Sequence, residues 1–179
     1  MSLLAGPILL PDESHSLALA RALAPHLRAG DTLLLSGQIG AGKSFFARAL
    51  IRARTGNPEE EVPSPTFTLV QSYDAPGAEI WHCDLYRLSD PFELVELGLE
   101  EAMGRAICLI EWPDRMGDMA PPEALSLALP LYPHAEGAEA AAEALEEQAA
   151  PAPEDERPNP FAALSGLRAR MESDADDGE

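Results

Sequence analysis

The sequence predicts an α/β domain in which helices cover a largely parallel central sheet. Three observations carry that expectation. Short apolar runs alternate with stretches of helical periodicity over residues 1–135. The run Asp31-Thr32-Leu33-Leu34-Leu35-Ser36 is apolar at successive positions, as in a strand buried on both faces. A glycine-rich loop then joins that run directly to an amphipathic stretch, the connection that a parallel crossover needs.

The elements follow in order. Asp12 to Ala24 reads as a helix with acidic residues in its first turn and Pro25 as its stop. Asp31 to Ser36 is the first strand. Lys43 to Arg54 is an amphipathic helix that ends before Gly56. Thr66 to Tyr73 alternates as a strand, and Glu79 to Asp84 is another. Pro91 to Leu97 starts a helix after Asp90, which can cap it. Arg105 to Glu111 reads as a buried strand and Leu125 to Tyr132 as the last one. No internal repeat is visible.

Beyond residue 135 the composition shifts. Residues 136–179 hold 13 acidic and 3 basic side chains, against 18 and 9 in residues 1–135. The stretch from Ala135 to Pro160 has almost no large apolar side chain, so it cannot offset the entropy of ordering. The domain boundary is therefore set near 135, followed by an acidic, low-complexity tail that is largely disordered. Near its end Asn159 and Pro160 could open a short helix whose Phe161, Leu164 and Leu167 share a face. The tail is then either solvated or a docking segment.

The whole chain of 179 residues carries 31 acidic and 12 basic side chains, a formal net charge of −19. Such a chain repels polyanions, and its only basic cluster is Arg48, Arg52 and Arg54. Direct nucleic-acid binding is disfavoured; a partner would hold any RNA involved. Cys83 and Cys108 lie in apolar runs without CxxC spacing and read as buried thiols of a reducing compartment. No basic segment followed by a long apolar core opens the chain, and no apolar run reaches membrane-spanning length, so a cytoplasmic protein without membrane association is expected.

One residue stands out against this background. Lys43 is the only lysine, the other eleven basic residues being arginines. It sits in Ser36-Gly37-Gln38-Ile39-Gly40-Ala41-Gly42-Lys43-Ser44-Phe45-Phe46, which satisfies GxxxxGK[ST] between a strand and a helix. A chance match in a chain of this length occurs roughly once in a hundred or less. Gly37, Gly40 and Gly42 allow positive φ and close approach of the backbone to phosphate. Successive N–H groups, from Ile39 through Ala41 to Phe45, then form an anion nest at a helix N-terminus. Lys43 reaches the β- and γ-phosphates as a compact ammonium that a planar guanidinium would not replace. Ser44 offers a hydroxyl to Mg²⁺. A P-loop NTPase-like three-layer fold follows. Guanine-specific relatives of such proteins use an N/T-K-x-D motif, which a chain with no lysine after Lys43 cannot contain; ATP is expected by elimination.

The metal also needs a carboxylate at a strand end. Asp84 ends Ile80-Trp81-His82-Cys83-Asp84, and Glu111 ends Ile107-Cys108-Leu109-Ile110-Glu111. In a doubly wound sheet these ends converge on the loop. One carboxylate would hold the metal and the other would orient the attacking water; the residues alone leave the assignment open. His82, within an apolar strand, reads as a packed, hydrogen-bonded histidine. Trp112 either stacks at the mouth of the site or closes the core.

The segments SGQIGAGKSFF, PSPTFTLVQSY, HCDLYRL and ICLIEWP, in this order and spacing, resemble the TsaE family, over roughly residues 8–132. That resemblance implies a P-loop ATPase using ATP and Mg²⁺, working with the TsaD and TsaB proteins in threonylcarbamoyladenosine modification of ANN-decoding tRNAs. It implies Ser44 and Glu111 as metal ligands and Asp84 as a second functional acid. It implies that Thr66, in Ser64-Pro65-Thr66-Phe67, behaves as a switch threonine near the γ-phosphate. It also implies that the segment Leu10-Pro11-Asp12-Glu13, and Glu13 with it, neighbours the adenine. One departure is visible. The family follows its last strand with a hairpin and a further strand that often carries a basic residue after a glycine, whereas this chain has Ala135-Glu136-Gly137-Ala138-Glu139 there. That strand is either lost or replaced by the tail.

A slow, partner-controlled ATPase is the function expected, with Lys43, Asp84, Glu111 and Thr66 as the catalytic set. Arg87 is the best arginine finger the chain itself offers, although in Asp84-Leu85-Tyr86-Arg87 it could equally pin its own segment. Two alternatives are weighed. A small-molecule kinase would need an arginine-rich lid, and after Arg105 residues 1–135 supply only Arg115. A nucleotide-holding scaffold without hydrolysis would have no use for both Asp84 and Glu111.

Overall fold

The computed structural model describes residues 8, 10–90 and 92–130, and the chain divides into compact units at His26–Leu27. Before that division lie helix α1 (Glu13–Leu23) and a 3-10 turn, Ala24–His26. Asp12 caps α1, its carboxylate accepting from the Ser14 and His15 backbone N–H groups. The bonds it accepts, first that from the Ser14 side chain, hold its carboxyl far below the usual range. Pro25 falls in the 3-10 turn, where the missing N–H ends the α-helical ladder.

After the division come β1 (Thr32–Ser36), α2 (Lys43–Thr55), β2 (Val70–Ala75), β3 (Ala78–Asp84), α3 (Glu93–Glu96), α4 (Leu99–Arg105), β4 (Ile107–Glu111) and β5 (Leu125–Ala128). The strands form one sheet in the order β2-β3-β4-β1-β5. β2 runs antiparallel to β3, and the other neighbours are parallel. The hydrophobic pattern decides which face each strand presents. Leu34 of β1, Cys83 of β3, and Cys108 and Ile110 of β4 pack with Leu94 of α3 and Leu99 and Ala102 of α4. The alternate positions, Leu33, Leu35, Ile80 and Leu109, therefore line the opposite face. There α2 covers the sheet with its buried Phe46, Leu50 and Ile51. The result is three layers. Every residue of the central β4 is buried, whereas β5 alternates between half-buried and exposed residues.

Five elements differ from the sequence expectation. The strand expected over Thr66–Tyr73 begins only at Val70. Leu69 has φ 63° and donates to the Pro65 carbonyl at 2.7 Å, while the Thr66 hydroxyl binds Asp84, so these residues turn back toward β3 instead of pairing. The helix expected over Pro91–Leu97 is the short α3, with Pro91 itself outside the described residues. It is followed by α4, which the sequence reading did not predict. Gly98, at φ 71°, is its N-cap. That leaves β4 to start at Ile107, because Arg105 is the last residue of α4. The last strand ends at Ala128; Tyr132, the boundary near 135, the tail and the Asn159 helix lie outside the described residues.

Cys83 and Cys108 are free and fully buried. Burial pushes the Cys108 thiol up to about 12 and raises that of Cys83, to which Cys108 adds. Among the described residues no helix is long and apolar enough to cross a membrane.

Two outcomes follow from this packing. Leu109→Ala should lower the unfolding free energy by about 2–5 kcal/mol in urea titration, and Ser126→Ala on β5 should change it by less than about 0.5 kcal/mol. At pH 8 the native protein should resist a thiol reagent, and both cysteines should react once it is unfolded.

Candidate functional site

Because β1, β3 and β4 are parallel, their C-terminal ends meet on one edge of the sheet. Asp84 pairs in register with Glu111, and Leu35 pairs with Glu111 from the other side. Alternation puts His82, Asp84 and Glu111 on the face that α2 covers. The loop from β1 to α2 leads to the same edge. Gly42 takes φ 89° as the N-cap of α2, and no side chain caps that N-terminus, so its first-turn N–H groups are left for an external acceptor. At Gly37, with φ 144°, an added Cβ would run into the Leu129 carbonyl.

Lys43 is 5% exposed. Its Nζ donates to the carbonyls of Gly37 at 2.7 Å and Gln38 at 2.8 Å, and lies 3.8 Å from the centroid of the Trp112 ring. Burial lowers its pKa, and the charges of Glu111 and Asp84 pull it back up. The next residue, Ser44, donates its hydroxyl to Glu111 Oε2 at 2.9 Å. Glu111 Oε1 meets His82 Nε2 at 2.8 Å, with both side chains buried.

A second cluster adjoins the first. Thr66 donates its hydroxyl to Asp84 Oδ2 at 2.8 Å and shares a hydrogen bond with Ser64 Oγ at 2.9 Å. Asp84 Oδ1 accepts from the Tyr86 backbone N–H at 3.0 Å. The Tyr86 ring lies 5.0 Å from that of Trp112. Trp112 has φ 60°, and it both faces Lys43 and packs on the core beneath α3 and α4, so its two expected roles are combined.

Of the residues singled out in the sequence, Lys43, Ser44 and Glu111 are thus brought together, and Thr66 is joined to Asp84. Ile39 is exposed at the tip of the loop, Ala41 and Phe45 are half-buried beside it, and Gly40 turns with φ 83°. Glu13 is exposed as the first residue of α1. Sequence reasoning missed Ser64 and left His82 without a partner. A signal for His82 exists: it stands two residues before Asp84 on one strand and therefore shares its face. Arg48 and Arg52 hold the carbonyls of Val62 and Glu60, each at 3.0 Å, so two members of the one basic cluster are engaged in structure.

Ser44 and Glu111 form a small, oxygen-only donor set, the kind that suits Mg²⁺ completed by phosphate and water. Among the described residues no group of three or more His, Cys, Asp and Glu side chains forms a metal cage.

Comparison with known proteins gives this geometry its setting. The family model described as "Threonylcarbamoyl adenosine biosynthesis protein TsaE" matches residues 10–136. The chain belongs to the TsaE family. The tRNA threonylcarbamoyladenosine biosynthesis protein TsaE of Rickettsia bellii is 39% identical over 131 residues, covering 73% of this chain and 90% of that one. Its counterpart in Bacillus subtilis is 34% identical over 120 residues, covering 66% and 72%. The crystal structure of Bacillus subtilis YdiB has the same fold, with a TM-score of 0.58 at 24% identity over 77% of this chain and 91% of that one. Membership gives the chain its role as a TsaE-family protein in the biosynthesis of threonylcarbamoyladenosine in tRNA.

A polyphosphate entering the loop must draw the Lys43 ammonium off the Gly37 and Gln38 carbonyls and the indole face. In a Trp81→Phe background, the emission of Trp112 should therefore change on titration with ATP. It should stay flat in the same protein carrying Lys43→Ala.

Proposed function

We propose that this TsaE-family chain is a Mg²⁺-dependent ATPase, slow alone and accelerated by TsaD and TsaB, in a cytoplasmic tRNA-modifying assembly. The observation that carries this is the convergence of Lys43, Ser44 and Glu111 at the uncapped N-terminus of α2. The backbone N–H groups from Ile39 to Phe45 bind the β- and γ-phosphates, and Lys43 exchanges its loop carbonyls for phosphate oxygens. Ser44 and Glu111 hold Mg²⁺. When bound, the metal neutralises charge on the phosphate oxygens. Asp84, next to Glu111 in register, orients the attacking water, whose oxygen bonds to the γ-phosphorus as the bridge to ADP breaks. Thr66 leaves Asp84 for the γ-phosphate and returns after hydrolysis, a change that partners can read.

Slow turnover by the chain alone is supported by Arg87, whose guanidinium is engaged over the Phe67 ring, 5.2 Å from its centroid. With a net charge of −19, tRNA reaches the chain only through its partners.

ATP turnover by the pure protein should be low, rise with TsaD–TsaB, and fall by about 10²–10³-fold in Lys43→Ala. Turnover indifferent to the partners would remove the gating. Transfer of phosphate to a metabolite would replace this function by that of a kinase.

A further inference from the structure

His82 is fully buried in β3, between Ile80 and Asp84 on the face that α2 covers. Packing alone does not account for it. An ionised Glu111 can only accept, so His82 Nε2 must carry the hydrogen of the 2.8 Å bond. His82 Nδ1 is buried and, among the described residues, without a hydrogen-bond partner. A buried polar atom left unpaired destabilises a fold, and an apolar side chain at this position would avoid that penalty. What the imidazole supplies is the one donor held on Glu111 Oε1, while Ser44 supplies the donor on Oε2. With a separate donor on each oxygen, rotation of the carboxylate breaks one bond or the other.

We propose that His82 is a positioning residue for Glu111: its Nε2–H fixes Oε1, so that Oε2 stays turned toward Ser44 and the cation that Ser44 and Glu111 hold. This rests on Glu111 being a metal ligand. Groups that hydrogen-bond to a ligating carboxylate set its orientation, and their loss weakens metal affinity by roughly 10–100-fold.

The test measures Mn²⁺ bound to the full-length protein with ADP, from the free-ion electron paramagnetic resonance signal, with thermal melting as the check on folding. His82→Gln keeps an N–H donor at the reach of Nε2, His82→Asn brings its amide only to the reach of Nδ1, and His82→Leu packs without a donor. His82→Asn and His82→Leu should weaken Mn²⁺ binding roughly 10–100-fold, and His82→Gln should restore most of it. ADP affinity without metal, read from Trp112 emission in the Trp81→Phe background, should not move. If His82→Asn fails to fold, Leu against Gln carries the same comparison. Wild-type Mn²⁺ affinity in His82→Leu, or equal weakening in Gln and Leu, would overturn the positioning role. Unchanged Mn²⁺ affinity in Glu111→Gln would instead remove the metal reading on which it stands.

Discussion

A carboxylate buried at 2% exposure must find a donor for each oxygen, and Glu111 finds one on α2 and one on β3. Much of the site's order follows from that requirement. Ser44 reaches Glu111 only if α2 starts directly over the end of β4, which sets the length of the loop from Gly37 to Gly42. His82 reaches it only if β3 and β4 keep the register that pairs His82 with Leu109 and Asp84 with Glu111. A slip of one residue would turn His82 and Asp84 to the face packed by α3 and α4, where Cys83 and Ile110 now lie. The hydrophobic pattern and the buried acid therefore enforce the same register.

Around this anchor the polar groups hold one another. Lys43 fills the loop with its own ammonium, and Thr66 rests on Asp84. The two contacts are connected through the chain. Arg48 and Arg52 tie the carbonyls of Val62 and Glu60 to the helix that begins with Lys43, and that tethered segment runs straight into Ser64 and Thr66. Tyr86 and Trp112 complete the circuit, since Tyr86 is bonded through its backbone to Asp84 and its ring meets the indole beneath Lys43.

Membership of the TsaE family agrees with a site that has few reserves of positive charge. The loop lysine is the only one in the chain, and both Arg48 and Arg52 are committed to backbone carbonyls.

The sequence by itself determined the alternation of strands and helices, the phosphate-loop motif with its lone lysine, and the two strand-end acids. These are local: apolar period, glycine φ and residue spacing act over a few positions and leave their mark in the chain. The tertiary structure alone decided the rest. It set the strand order that puts Asp84 beside Glu111, chose Glu111 over Asp84 as the partner of Ser44, and brought Trp112 under Lys43. It delayed the start of the expected strand to Val70 because Thr66 bonds to Asp84, eighteen residues away, and it made Gly98 the N-cap of α4. Those outcomes depend on contacts between distant segments, where burial and hydrogen-bond satisfaction outweigh local propensity.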